Sequence, residues 1–229
     1  GYNALYTNVD GDNPTAIGHR ALFTQEPASN VDMYNTAVGQ DAGYAITTVT
    51  NNTILGGLAG TSLTTGYSNV VLGKSAGRYG VAGFSNTFVG NAAGEEASGS
   101  SAYENVYLGS SAGRAMRDGI RNVGVGRAAI GGGGAGDGGY NAALGYYALN
   151  AITTGDHNIG IGAAAGKSIT TGGNNIVIGN TAGDAITTTT GTIAIGYQAG
   201  TALTSGAGNV AIGYQAEKAL TTGDKNTVL

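Results

Sequence analysis

Few residue patterns in this 229-residue chain could do chemistry, and each has a physical requirement to meet. A glycine loop opening a helix after a strand can cradle a pyrophosphate on backbone N–H groups. Gly124-Val125-Gly126-Arg127-Ala128-Ala129 and Gly160-Ile161-Gly162-Ala163-Ala164-Ala165 fit a loose G-x-G-x-x-A pattern. Neither opens a helix, which is the context that mechanism needs. Gly166-Lys167-Ser168 partly fits a P-loop, but the first glycine of that motif would stand at position 161, which is isoleucine. Residues 131–139, GGGGAGDGG, come near the glycine–aspartate nonapeptide that binds calcium in some solenoids, yet the spacing is off by one and the motif does not recur. Asp10-Gly11-Asp12-Asn13 gathers oxygens without the rest of an EF-hand loop and reads as a turn. The only histidines, His19 and His157, have no matched acid nearby, and there is no cysteine. No catalytic, metal-ligating or cofactor-binding residue is therefore expected, and the chain reads as a non-enzyme.

Charge offers one further candidate. Arg114, Arg117, Arg121 and Arg127 fall within fourteen residues, between insertions in residues 95–104 and 131–140. Such a cluster is either a set of solvated turns or a lateral patch for anionic surface sugars or a partner fibre protein. Elsewhere charge is sparse. Ten Lys and Arg stand against fourteen Asp and Glu, a net charge of −4, which gives no electrostatic case for nucleic acid. No apolar run approaches the roughly 18 residues of a membrane-spanning helix, so no membrane insertion of this segment is expected.

The elements that would position these groups follow from composition and period. The chain holds 44 glycines but two prolines, which excludes collagen, and it is 41% hydrophobic, which argues against disorder. Glycines recur at 1, 18, 39, 56, 73, 90, 109, 126, 145, 162, 179, 196 and 213, mostly seventeen residues apart. Alanine stands three residues after every one of these anchors, from Ala4 to Ala216. Val, Ile or Leu precedes each later anchor, and Thr, Val or Ile stands three before it except at Ala142. The column between them, Ala37, Ile54, Val71, Phe88, Tyr107 and their equivalents, carries no charge. Alternation with period two makes this a strand that is apolar or small on both faces, and hence covered on both.

A second, weaker strand is expected at Ala45-Ile46-Thr47-Thr48, Ser62-Leu63-Thr64-Thr65, Ser168-Ile169-Thr170-Thr171 and Ala202-Leu203-Thr204-Ser205, with one inward aliphatic each. Asparagine stands four before the anchor at 35, 52, 69, 86, 105, 122, 141, 158, 175 and 209. With one coil per repeat these side chains would stack as a ladder. The fold class is thus all-β, a parallel β-solenoid of the β-roll type. It has about thirteen 17-residue coils in one array over residues 1–229, and at about 4.8 Å per coil it forms a rod some 60 Å long. Because the repeats begin and stop in phase, a stretch cut from a longer array is expected. Covering the second apolar face calls for further copies of the chain, a homotrimeric rod being the favoured form; the alternative is a monomeric solenoid that wraps every column inside itself.

The block N-[TVI]-[AV]-[IVL]-G-x-x-A-G, as in NTAVGQDAG and NIVIGNTAG, resembles the head repeats of YadA-like trimeric autotransporter adhesins. The variants GYNAL, GYYAL and GYQAG are similar to repeat regions of phage tail fibres. The resemblance implies a left-handed parallel β-roll that trimerises. It also implies an extracellular location, on a virion tail fibre or a bacterial cell surface, and attachment to a host-surface glycan or protein receptor. The adhesin repeat is shorter than the one here, so each coil must accommodate an extra turn. Two other readings stay open: a monomeric solenoid that binds a ligand or, through its threonine pairs, ice; and a left-handed β-helix acyltransferase. The hexapeptide of the latter should recur three times per coil but occurs once, since Tyr44 stands six residues after Val38.

Overall fold

The computed structural model describes residues 1–80, 82–99, 102–131 and 137–229. Among these the chain is all-β and winds as a parallel solenoid. Thirteen strands of two or three residues, from Thr15–Ile17 to Thr227–Val228, stack in one sheet strictly in chain order. Registers such as Thr36↔Thr53, Ala37↔Ile54 and Val38↔Leu55 hold the repeat columns opposite one another. Nine of the twelve coil-to-coil steps are seventeen residues. The two extra pairs at Phe84↔Tyr103 and Tyr103↔Ile120 form where the coil is longer.

Each coil turns its corner with left-handed residues. The anchor glycines hold φ between 127° and 139°, and the residue two places on is left-handed as well, for example Asp41 at φ 55° and Ala164 at φ 55°. The anchor must be glycine for a second reason. A Cβ on Gly162 would lie 2.7 Å from the carbonyl carbon and oxygen of Gly179 in the next coil. The coils are thus stacked too closely at this edge for any side chain.

The interior is a set of single-file columns. Alanines three after the anchor, Ala21 through Ala199, are fully buried, as is most of the central strand column, including Ala37, Ile54, Tyr107 and Val177. Inward aliphatics Ile46, Leu63, Ile169 and Leu203 complete the packing, as the sequence pattern expects. Their segments are not strands, however. They run as turns and bends, joined from coil to coil by isolated bonds such as Thr153 N–H to Thr170 C=O at 2.9 Å and Thr204 N–H to Thr221 C=O at 3.0 Å. Threonine's β-branching satisfied the pattern without the alternating ladder that a strand requires.

The asparagine ladder forms. Asn52 Oδ1 accepts from the backbone N–H of Asn69 at 3.0 Å and from its Nδ2 at 3.1 Å, while Asn69 Nδ2 donates to Gly83 C=O at 2.8 Å. The same set recurs from coil to coil and includes Asn226. Pro14 holds the ladder position in an early coil; there the buried Gln25 accepts from Asn35 Nδ2 at 3.0 Å and donates to Asn8 Oδ1 at 3.2 Å. The insertion in residues 24–34 supplies Val31–Asp32, which pairs with Gly11–Asp12 as a small second parallel sheet.

Within one chain the main strand is covered on one face only. Only its central column is buried within the chain. The flanking columns point outward, with Leu55 47%, Leu144 51% and Ile161 38% exposed. A strand has two faces and the coil encloses one, so the chain does not wrap all its apolar columns inside itself.

Candidate functional site

The four arginines lie on exposed parts of neighbouring coils, but not as one patch. Arg121 precedes the strand Val123–Val125, in a left-handed position at φ 52°. Its Nε donates to Glu104 Oε2 at 2.7 Å and its Nη1 to the Tyr140 hydroxyl at 2.7 Å. Its guanidinium sits 5.5 Å from the ring centres of both Tyr103 and Tyr140. Glu104 first, then Tyr140, raise its pKa and hold it protonated. Two of its five N–H donors are thereby committed within the fold, and both ring contacts hold its plane. Arg117 follows the buried Met116, is exposed, and its backbone carbonyl accepts from Gly99 N–H.

Arg114 and Arg127 do come together, beyond the corner that follows the strand. They line one surface groove of about 250 Å³ with Ser111, Ala128, Tyr147 and Asn150. Arg114 Nε donates to Glu95 Oε2 at 3.0 Å. Arg127 Nη1 donates to the Tyr146 hydroxyl at 3.2 Å, with its guanidinium 5.6 Å from the ring centres of Tyr146 and Tyr147. Asn150 Nδ2 is fixed by Ala128 C=O at 2.9 Å. On the far side of Tyr147 a second depression of about 250 Å³ is lined by Tyr146, Tyr147, Ala164 and Lys167.

The sequence singled out the two arginines of the groove but not Ser111, Tyr146, Tyr147 or Asn150. The readable signal was the GYYAL block, which places adjacent tyrosines one and two residues after the anchor Gly145.

The other candidates are absorbed by the fold. Gly124 and Gly160 are central-column residues, where a Cβ would run into Ile130 Cγ2 at 2.6 Å and Leu149 Cγ at 2.6 Å. His19 stacks on Tyr2 and His157 on Tyr140, with ring centres 5.9 and 4.9 Å apart. In the early turn Asn8 Nδ2 donates to Gly11 C=O at 2.8 Å and Asn13 Nδ2 to Asp32 Oδ1 at 2.5 Å. Of the glycine-rich stretch, residues 132–136 lie outside the described residues. Several threonine hydroxyls are spent between coils, as in Thr153 Oγ1 to Thr170 C=O at 3.1 Å and Thr170 Oγ1 to Thr187 C=O at 3.2 Å. Among the described residues no three His, Cys, Asp or Glu are grouped to hold a metal ion, and no helix is long and apolar enough to cross a membrane.

Comparison with family models, with curated proteins and with solved structures returned no match for this chain.

Proposed function

We propose that the chain is a non-enzymatic structural segment of a homotrimeric attachment fibre, extracellular, on a phage tail fibre or a bacterial surface adhesin. In this role it stiffens the fibre and supports adhesion to a glycan or protein on a host surface. The observation that carries the reading is the outward ladder of Val, Ile and Leu along the main strand, including Leu55, Leu144, Ile159, Ile161 and Ile212. Apolar surface of this extent, repeated every coil, is stabilised by burial at about 25 cal/mol per Å², and contiguous patches of this kind mark interaction sites. A second copy of the same ladder matches its coil spacing over the whole length. The resemblance of the N-x-x-[IVL]-G-x-x-A block to trimeric adhesin heads supports three copies.

Sedimentation equilibrium and native mass measurement test the reading. A trimer is the expected result, and Leu144→Lys with Ile161→Lys should yield folded monomers. A wild-type chain that stays monomeric at high concentration overturns the assembly.

A further inference from the structure

The groove at Arg114 and Arg127 opens where a small residue stands between two larger ones: along the column two after the anchor, Ala128 lies between Ser111 and Tyr147. Along the column five residues after the anchor stand Glu95, Arg114, Gly131, Asn150, Lys167 and Asp184. Ala115 N–H donates to Gly131 C=O at 3.2 Å and Ala151 N–H to Lys167 C=O at 3.0 Å, so these positions follow one another along the rod. Gly131 itself is buried; Arg114 and Asn150 come from the coils on either side of it, and Ala128 lines the groove from the coil between them. The depression beyond Tyr147 repeats the plan, with Ala164 on the floor and Lys167 as its cation. Ala128 and Ala164 occupy the same column two coils apart, about 10 Å at the usual strand spacing.

The chemistry of the two notches is specific. A guanidinium carries five N–H donors. Arg114 uses Nε on Glu95 and Arg127 uses one Nη1 bond on Tyr146, and neither makes another side-chain hydrogen bond among the described residues. Both remaining forks are free to take a carboxylate in the bidentate manner. Arg127 has no carboxylate partner among the described residues. Tyr147 offers a ring between the notches, and Ser111 and Asn150 offer groups suited to hydroxyls. Each volume, below the roughly 300 Å³ of a small drug site, suits one ring. Glu95, paired with Arg114, and Asp184 flank this stretch of the column with negative charge, which disfavours a longer anionic ligand.

From this geometry we infer that the groove binds two or three units of a linear, carboxylate-bearing polysaccharide laid along the rod. One carboxylate sits between Arg114 and Arg127, one sugar face lies on Tyr147, and a second carboxylate reaches Lys167. Nucleic acid fits less well. Three cations on a chain of net charge −4 give little of the phosphate neutralisation on which such binding depends. The site lies within one chain, on the side of the corner away from the outward strand ladder. It deepens the attachment reading, yet it does not depend on the number of chains.

Trigalacturonic acid at low ionic strength is the probe, followed by amide NMR and calorimetry, with sedimentation run on the same samples. Saturable binding is expected, with the largest shifts at Arg127, Tyr147 and Asn150. Arg127→Ala and Arg114→Ala should each weaken it about tenfold, in keeping with the loss of a charge-assisted pair. Arg127→Lys, which keeps the charge and loses the fork, should fall between, and gives a reading if the alanine variant misfolds. Lys74→Ala, outside the groove, should bind as the parent does. The inference is overturned by any of four results: absence of saturable binding, equal affinity for the trimethyl ester, unchanged affinity in Arg127→Ala, or oligothymidylate binding as tightly as the uronate. A monomer in the sedimentation run with binding intact would fault the trimer and leave the groove standing.

Discussion

Phe88 and Gly94 share one layer of the interior: a Cβ built on Gly94 would lie 2.7 Å from Cδ2 of the Phe88 ring. The central strand residue and the residue four after the anchor divide a fixed volume between them. Where the strand carries Phe88 or Tyr107 the other position is Gly94 or Gly113, and where the strand carries Gly124 the other is Ile130. Interiors packed at near-crystalline density leave no slack for both to be large.

This exchange predicts coupling. Gly94→Ala alone should destabilise by about 3 kcal/mol, from ring overlap and from a left-handed backbone at φ 58°. In a Phe88→Ala background the same change should cost at least about 1 kcal/mol less. A double-mutant cycle from denaturant midpoints reads the difference, and strict additivity would refute the shared volume.

Anchor glycines should be intolerant where other glycines are not. Gly162→Ala meets backbone of the next coil at 2.7 Å with φ at 127° and should lower stability by several kcal/mol, about 3 or more. Gly57→Ala meets nothing within 4 Å and should be neutral. Thermal melts of the pair decide it, and similar melting for both would remove the close-stacking argument.

Between Asn35 and Asn226 the asparagine ladder is broken once, at Thr192. Its backbone N–H still donates to Asn175 Oδ1 at 2.9 Å, but its buried hydroxyl finds no partner, nor does that of Thr189. Thr192→Asn should restore the rung towards Asn209 and stabilise by about 1 kcal/mol, while Asn141→Ala should cost about 2 to 3 kcal/mol by stranding buried partners. Hydrogen exchange across residues 189–210 would localise the gain.

Glu217 gives the chain a pH dependence of known sign. It stands four after the anchor Gly213, where most coils have glycine, and both its oxygens lack partners. Desolvation raises its pKa. Between its unfolded and folded pKa values the folded state therefore holds more proton, so stability falls as pH rises through that window, starting from the ordinary carboxylate range near pH 4. Glu217→Gln should flatten this part of the profile and melt higher than the parent at neutral pH. A parallel pH profile in the variant would contradict the assignment.

The columns were legible because a solenoid writes each contact as a sequence period. The anchor glycines, Ala42 and its equivalents, and the run from Asn35 to Asn209 each sit where their spacing said. Two things were not legible. Apolar character on both sides of Val70–Leu72 is the same pattern whether or not the chain's own coil supplies the second cover, and only the winding shows that it does not. Arg114, Arg121 and Arg127 are close in sequence, but a stretch that nearly completes a coil takes its residues to different edges. The groove is built instead from Ser111 to Asn150, across three coils, through columns that sequence proximity conceals.

The rungs of the ladder run along the rod axis and therefore resist the same force. A pull on the two ends loads the coil interfaces in series, and at each interface the Asn–Asn bonds share that load with the backbone pairs beside them. At Thr192 one strand of that cable is absent, so the same tension falls on fewer bonds there. Between Asn35 and Asn226 the stack would open first under tension between Thr192 and Asn209, and that point of failure is written into one side chain.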